Sequence, residues 1–200
     1  MRVLTYKDED DYREKQIKMG TEGFRDKSVW VTDLEIKTIC DYIKQQGIKI
    51  SKGVCHGVRL GTEVRDFRNM LDADIIGTDI CPLVSSVENV IVHDFHYVKE
   101  GWINSFDFIY SNSLDHSNRP KECLESWFSC LTENGRCFIE WTVSDDDIDS
   151  SFSYADCFGA SSEEYKKLIN EVGSVVDTIS IPSNKGGTIV FVCKKRGEDV

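Results

Sequence analysis

Apolar residues recur at helical spacing in four stretches of the chain. The first stretch follows Thr32 and Asp33, either of which can cap a helix, and it ends at Gly47. Its apolar positions follow the i, i+3, i+4, i+7 rule: Ile36, Ile39, Cys40 and Ile43. Similar stripes begin at three further places: Thr62, Pro120 and the capping box of Ser161 and Glu164. The pattern predicts four helices and leaves the polar first 25 residues as either a further helix or a mobile arm.

Short runs rich in β-branched and aromatic residues alternate with these helices. They lie at residues 48–54, 74–78, 90–93, 106–111 and 137–141. Two more runs, at 175–181 and 188–193, are joined by the polar, glycine-containing residues 183–187, which indicates a hairpin. Alternating strands and helices predict a doubly wound α/β fold with a mostly parallel, seven-stranded sheet that ends in a C-terminal antiparallel hairpin.

Composition and charge limit the possible functions. The 200 residues are enough for one domain, and the sequence has no internal repeat or low-complexity linker. A formal net charge of −11 would repel a nucleic-acid backbone and an anionic membrane surface, so we expect neither as a partner. The N-terminus lacks a signal-peptide core, and the eight cysteines are scattered without CxxC pairs. We therefore expect a cytoplasmic protein with buried thiols.

Four predicted strands end in residues that are suited to bind a ligand, and ligands of open α/β sheets lie outside the carboxyl ends of strands. The first strand leads into a turn with Gly57 and Gly61, where the backbone can approach a ligand closely. Asp79 ends the second strand, 18 positions after Gly61 (79 − 61), where a carboxylate can accept hydrogen bonds from ribose hydroxyls. Asp94 ends the third strand, and the segment FDFIYSNSLDHS ends the fourth.

In this order the four segments resemble those of the class I S-adenosylmethionine-dependent methyltransferases, particularly the small-molecule branch called methyltransferase type 11. The resemblance covers about residues 48–193 and includes the final helix and hairpin. It implies a Rossmann-like methyltransferase fold, S-adenosylmethionine as the cofactor and methyl transfer to a small-molecule acceptor. The sequence shows no inserted cap domain, so either the N-terminal segment or a partner subunit has to cover the pocket, and the oligomeric state stays open. We expect residues 1–47 to form an N-terminal helical segment that caps the pocket of a cofactor-binding domain at residues 48–200.

The resemblance also implies a role for individual residues. The implied cofactor-binding residues are Cys55, Gly57, Arg59, Gly61, Glu63, Asp79, Ile80, Asp94, Phe95, Ser111, Asn112 and Ser113. In this set the glycines contact the methionine part, Asp79 holds the ribose hydroxyls, and Asp94 with Phe95 flanks the adenine. The segment 111–113 lines the cofactor near the reacting methyl group. Asp115 and His116 face the acceptor as the candidate catalytic residues.

The glycine-rich turn departs from the family pattern at two positions. Cys55 stands where the family usually has an acidic residue, and Arg59 replaces its middle glycine. Glu63 is the candidate to replace the missing carboxylate, and Arg59 can reach the methionine carboxylate or close over the site. Two alternatives stay open: a catalytically inactive cofactor-binding or scaffold protein of this fold, and a nicotinamide-dependent oxidoreductase. Arg59 and the closing hairpin disfavour the oxidoreductase.

Other residues with reactive side chains have simpler interpretations. His93, Asp94 and His96 form a compact cluster at a strand end, and no further well-spaced ligand accompanies them, so we expect no metal site there. His116 is either a catalytic base or a pocket residue that shapes the acceptor. The acidic residues within 145–149 are expected in a solvated loop, where closeness to a substrate entrance would favour a cationic or amine-bearing acceptor.

Overall fold

Helices and strands alternate along the chain in the computed structural model, which describes residues 1–27, 29–142, 156–182 and 187–197. The helices are α1 (Glu9–Arg25), α2 (Asp33–Gln45), α3 (Thr62–Leu71), α4 (Pro120–Cys130) and α5 (Ser162–Val172). The strands are β1 (Arg2–Val3), β2 (Lys52–His56), β3 (Asp74–Asp79), β4 (Val90–Val92), β5 (Phe106–Ser111), β6 (Leu131–Thr142), β7 (Phe158–Gly159), β8 (Gly173–Ile181) and β9 (Thr188–Lys195). Short 3-10 turns at Pro82–Ser86 and Leu114–His116 follow β3 and β5.

Seven strands form one sheet in the order β4-β3-β2-β5-β6-β9-β8, and β1 pairs with β7 separately. Neighbours from β4 to β6 are parallel, whereas β9 runs antiparallel to both β6 and β8. This confirms the predicted doubly wound sheet with its terminal antiparallel hairpin. Residues 183–186 of the hairpin connection and the acidic residues at 145–149 lie outside the described residues.

The strand order creates a crevice at the centre of the sheet. From β2 the chain adds β3 and β4 on one side, and it then crosses back to place β5 on the other side of β2. The loops that follow β2 and β5 therefore diverge at the carboxyl edge of the sheet. Ligands bind at such a switch point in open α/β sheets.

Alternate strand residues point to opposite faces of the sheet and divide the core into two layers. In β2, the buried Val54 belongs to a cluster with Trp127 of α4 and Ile169 of α5. Its neighbour Cys55 belongs to the opposite cluster, with Ile39 of α2 and Phe67 of α3. Both faces are therefore covered by helices, which explains the nearly continuous apolar sequence of the central strands.

The predicted helix starts are present in the structure. At α2, the Thr32 N–H donates to the Glu35 carboxylate at 2.6 Å in a capping box. At α5, the Ser161 hydroxyl accepts the Glu164 N–H in the same arrangement. Helix α3 begins at the predicted residue, directly after Gly61 in the left-handed region. Each cap uses a residue type that satisfies otherwise unpaired N–H groups or tolerates positive φ.

Some predicted boundaries differ from the structure. β2 begins at Lys52 rather than residue 48, because Ile48 and Ile50 pack against the α2–α3 layer ahead of the paired residues. β6 begins at Leu131, six positions before the predicted start at residue 137 (137 − 131). Within the first 25 residues the structure shows helix α1 rather than a mobile arm, with Asp8 as its N-cap.

The cysteines are core residues. All eight are buried with free thiols. Burial raises the pKa of the Cys55, Cys123 and Cys193 thiols, which keeps them protonated and unreactive at neutral pH. None of the helices in the described ranges is long and apolar enough to cross a bilayer.

Candidate functional site

A pocket lies at the carboxyl edge of the sheet, where the loops after β2, β3, β4 and β5 meet helix α1. Its lining residues are Tyr12, Gln16, Met19, Gly20, Gly57, Arg59, Asp79, Ile80, Asp94, Phe95, Ser113 and His116. The cavity has a volume of about 60 Å³ with α1 lying across it. The four strand-end segments that the sequence singled out therefore converge at one place.

The turn after β2 depends on Gly57. Its backbone lies in the left-handed region, with φ of +77°, and its N–H donates to the Thr78 carbonyl at 2.8 Å. A Cβ atom at position 57 would lie 2.5 Å from both Cβ and Oγ of Ser113. Glycine is therefore required for the turn to approach the loop after β5, and it leaves the backbone facing the pocket.

Asp79 at the end of β3 holds two neighbouring loops together. Its Oδ2 accepts the Arg59 N–H at 2.9 Å, and its Oδ1 accepts the Cys81 N–H at 2.8 Å. The residue is 9% exposed, and it lies beside Gly20 of α1. Each carboxylate oxygen has a second lone pair, so Asp79 can accept further hydrogen bonds from a ligand in the pocket.

Asp94 belongs to a buried chain of hydrogen bonds. The His96 ring joins Asp94 Oδ1 through Nδ1 at 2.8 Å and Ser117 Oγ through Nε2 at 2.7 Å. Asp94 Oδ2 accepts a hydrogen bond from Arg13 of α1 at 3.0 Å. Burial raises the pKa of Asp94, but the hydrogen bonds and charges of His96 and Arg13 outweigh burial and hold the pKa below its ordinary value. Asp94 is therefore an ionised carboxylate that ties α1 to the pocket.

His116 lies on the β5 side of the pocket, and its backbone is held from two directions. Its carbonyl oxygen accepts the Tyr12 hydroxyl at 3.0 Å and the Cys157 thiol at 2.9 Å. Its Nε2 atom lies 4.0 Å from Asp115 Oδ1 and 3.8 Å from Asp156 Oδ1. The three side chains are close enough together to act on one small group or ion.

Known proteins resemble this chain in fold rather than in sequence. No protein-family model matches the sequence, and neither does any curated protein. Among solved structures, the 1,6-didemethyltoxoflavin-N1-methyltransferase of Burkholderia thailandensis, with bound 1,6-didemethyltoxoflavin and S-adenosylhomocysteine, aligns over 97% of this chain and 93% of its own, with a TM-score of 0.75 and 13% identity. The fold is that of the class I S-adenosylmethionine-dependent methyltransferases.

Two further structures support the same fold. The N-methyltransferase NodS from Bradyrhizobium japonicum WM9, in complex with S-adenosylhomocysteine, covers 92% of this chain and 100% of its own, with a TM-score of 0.68 and 11% identity. The magnesium protoporphyrin IX methyltransferase from Synechocystis PCC 6803, with bound S-adenosylmethionine, covers 96% and 100%, with a TM-score of 0.64 and 10% identity. Identities this low establish a common architecture, so function has to be argued from the site.

Within this methyltransferase fold, many of the predicted site residues line the pocket directly: Gly57, Arg59, Asp79, Ile80, Asp94, Phe95, Ser113 and His116. Ser111 and Asn112 lie behind that surface. The Ser111 hydroxyl donates to the His56 carbonyl at 3.1 Å, and Asn112 Oδ1 accepts the Ser113 hydroxyl at 3.0 Å. Asp115 is beside His116, and Gly61 packs away from the cavity against Val87 and Val90.

Cys55 and Glu63 are not among the residues that line the pocket. Both are buried, and Cys55 points into the α2–α3 layer because alternate residues of β2 face opposite sides of the sheet. Burial, helped by the nearby Asp79 carboxylate, raises the pKa of Glu63 to about 8. Glu63 is therefore mostly protonated at neutral pH and lies outside the set of residues that line the pocket.

The sequence did not single out the α1 residues that complete the pocket. Tyr12, Gln16, Met19 and Gly20 share one helix face at i, i+4, i+7 and i+8, but their mixed polarity gives no apolar stripe. Asp156 was also missed, because it lies 40 positions from His116 along the chain (156 − 116) and has no local motif. The regular helical spacing of the α1 residues was the one available signal.

Proposed function

We propose that this protein transfers a methyl group from S-adenosylmethionine to a small-molecule acceptor. The observation that carries the proposal is the Asp79 carboxylate, which ends β3 next to the Gly57 turn at the switch point of a methyltransferase-type sheet. A carboxylate at this place is suited to accept hydrogen bonds from the two ribose hydroxyls of a nucleoside. Each of the three similar structures named above contains S-adenosylmethionine or S-adenosylhomocysteine.

The pocket residues suit the chemical parts of this cofactor. Asp79 would hold the ribose, with Ile80 beside it, and Asp94 with Phe95 would contact the adenine. Gly57 lines the pocket beside Ser113, where a Cβ would lie 2.5 Å from the Ser113 side chain, and its bare backbone would contact the methionine part. When bound, S-adenosylmethionine supplies a methyl group on an already activated sulfonium, so the protein mainly needs to align the acceptor and exclude water. His116, with Asp115 beside it, is the candidate to take a proton from the acceptor.

We also propose that the N-terminal segment, residues 1–47, caps this pocket through α1. Along its length the helix contacts all four strand-end loops. Tyr12 bonds to His116, and Arg13 pairs with Asp94. Gly20 lies beside Asp79, and Gly23 lies beside Arg59. Ligand pockets usually measure about 300–1,000 Å³, whereas this cavity measures about 60 Å³. Cofactor entry therefore requires α1 to shift.

The capping role can be tested at the ion pair between Arg13 and Asp94. Arg13 is 40% exposed, and partly exposed pairs contribute about 0.2–1 kcal/mol, so Arg13→Gln should speed S-adenosylmethionine association up to about fivefold in stopped-flow measurements. Lys15→Gln makes the same charge change on α1 but removes a pair with Asp11 within the helix, so it should have no effect. Equal rates for all three proteins would refute the capping role.

The proposed function itself is tested by calorimetric titration with S-adenosylmethionine, S-adenosylhomocysteine and NAD. We expect micromolar binding of the first two, no binding of NAD, and loss of binding in Asp79→Ala. If neither sulfur nucleoside binds, the proposal fails, and binding of NAD alone would favour an oxidoreductase. The Cys55 thiol and the Glu63 carboxyl are both uncharged at neutral pH, so neither gives the turn the negative charge that is usual in the family. This observation favours a second candidate function, an inactive cofactor-binding protein. Transfer of a radioactive methyl group to any acceptor would reject that alternative.

The net charge and the burial of the cysteines support the proposed class of acceptor and the proposed cellular compartment. A net charge of −11 favours a small-molecule acceptor over a nucleic acid or an anionic membrane. The eight buried, free thiols are in keeping with a reducing compartment such as the cytoplasm.

A further inference from the structure

A group of three titratable side chains lies on the β5 side of the pocket. His116 Nε2 has Asp156 Oδ1 at 3.8 Å and Asp115 Oδ1 at 4.0 Å, so two carboxylate oxygens lie near one ring nitrogen. The side chains are partly accessible, at 27% for His116, 21% for Asp115 and 37% for Asp156. His116 itself lines the cavity. A ligand that contacts His116 in the pocket therefore lies next to the Asp115 and Asp156 carboxylates.

The surrounding contacts fix the position of His116. Its N–H donates to the Ser113 carbonyl at 3.2 Å, and its own carbonyl accepts hydrogen bonds from Tyr12 of α1 and Cys157. Three separate segments of the chain thus hold this one backbone unit. Positioning of this kind is expected for a side chain that must meet a reacting atom.

The charge near this cluster is negative. Arg13 and Arg119, two of the arginines of the region, are paired with other carboxylates: Arg13 with Asp94, and Arg119 with Glu9 and Glu122. Asp115 and Asp156 therefore place two acidic groups around the imidazole, on a protein that is already strongly acidic. Such surroundings favour a cationic ligand.

We infer that the methyl acceptor is an amine that binds as an ammonium ion between Asp115 and Asp156, with His116 as its proton acceptor. This inference rests on the proposed function. His116 Nε2 takes one proton from the ammonium, and the lone pair left on nitrogen forms the new bond to the methyl carbon. The carbon–sulfur bond breaks with its electron pair left on sulfur. The products are a methylated ammonium ion, neutral S-adenosylhomocysteine and a protonated His116, whose proton returns to water.

The spacing of the cluster lies between that of a metal site and that of an ammonium site. Donor atoms bound to a tetrahedral metal at about 2.1 Å lie about 3.4 Å apart. Acceptors around a tetrahedral ammonium at hydrogen-bond distances of about 2.9 Å lie about 4.7 Å apart. The two separations from His116 Nε2 are 3.8 and 4.0 Å, and the three donor atoms lie within 4.8 Å of one another. Both separations fall between the two values, so a metal ion is the competing ligand that the binding test has to exclude.

The test uses the full-length protein loaded with S-adenosylhomocysteine and a panel of shape-matched amines, alcohols and carboxylic acids, such as benzylamine, benzyl alcohol and benzoate. Binding is measured by ligand-observed NMR and calorimetry. We expect the ligands to be mainly amines, and Asp156→Asn to weaken amine binding about tenfold or more, since hydrogen bonds to charged groups are the strong ones. Asp41→Asn removes the same charge from the exposed surface of α2 and should change nothing.

Each outcome decides the inference separately from the proposed function. A variant Asp156→Asn that keeps its affinity for S-adenosylhomocysteine but loses amine binding supports the inference and excludes misfolding. A panel in which no amine binds, or in which alcohols and acids bind equally well, overturns it while the methyltransferase proposal stands. Tight binding of Mn²⁺ or Zn²⁺ that is lost in Asp156→Asn would overturn it in favour of a metal site. Failure of the unmodified protein to bind S-adenosylhomocysteine would instead count against the proposed function.

Discussion

Replacing Asp79 by asparagine tests the centre of the proposed cofactor site. In the structure the two oxygens of this carboxylate each accept a backbone N–H, from Arg59 at 2.9 Å and from Cys81 at 2.8 Å. The remaining lone pairs are the proposed acceptors for the ribose hydroxyls. Asparagine keeps the size of the side chain but replaces one oxygen by an NH₂ group, which donates and cannot accept.

Two separate losses follow from this change. Hydrogen bonds to a charged group contribute about 1.5–3 kcal/mol, so weakened ribose binding of about 2–3 kcal/mol would raise the Kd for S-adenosylmethionine roughly thirty- to hundredfold. One backbone N–H, of Arg59 or Cys81, would also lose its acceptor in a nearly buried place. That loss should lower the free energy of unfolding by about 1–3 kcal/mol. The binding loss must therefore be separated from the stability loss.

The chain offers a matched control in Asp107. Its Oδ2 accepts the N–H groups of Ser51 at 3.0 Å and Lys52 at 3.2 Å, but it lies near the start of β5, at the opposite edge of the sheet. Asp107→Asn should therefore lower stability in urea denaturation without changing the calorimetric Kd for S-adenosylmethionine. If Asp79→Asn binds the cofactor as tightly as the unmodified protein, the assignment of Asp79 is wrong. If both variants lose affinity equally, the effect comes from stability.

Two other predictions concern the turn and the α2–α3 layer. Gly57→Ala places a Cβ 2.5 Å from Ser113 on a backbone with φ of +77°, so cofactor affinity should fall at least about tenfold by calorimetry, and unchanged affinity would exclude the turn from the site. Burial raises the pKa of Glu140 to about 8, so the free energy of unfolding should decrease as pH rises from the ordinary pKa of 4.5 toward 8. Glu140→Gln removes that ionisation and should stabilise the protein by up to about 3 kcal/mol at pH 7 in urea denaturation, with little gain near pH 5. A gain that is equal at both pH values would contradict the shifted pKa.

The elements with a clear local cause were predictable from sequence. Helix α2 has a complete capping box and a regular apolar stripe, and its N-cap is Thr32, one of the two residues expected there. The strand-end residues Gly57, Asp79 and Asp94 were found because a parallel sheet brings the ends of its strands to one edge. In these cases a residue and its structural reason lie close together in the sequence.

Features that depend on distant contacts were harder to predict. Glu63 was a candidate for a charged role, but its side chain is buried and its pKa is raised to about 8, which only the packed structure reveals. Asp156 approaches His116 only because the segment before α5 folds back toward the loop after β5. Neither fact leaves a pattern in a short stretch of sequence.

The structure explains why an arginine can replace the middle glycine of the turn at position 59. The explanation again depends on contacts between residues that are far apart in the sequence. From the sequence, an arginine in place of the middle glycine of the turn is expected either to reach the methionine carboxylate or to close over the site. In the structure, Arg59 takes the positive φ of 42° that this turn needs, and its N–H is held by Asp79. Its guanidinium lies against α1 at Gly23, where a Cβ would be 2.6 Å from the Arg59 Cζ atom. The large Arg59 side chain in the turn thus fits against α1 because Gly23 has no side chain there. Arg59 therefore belongs to the contact between the turn and α1, and this contact lies beside the pocket that both elements line.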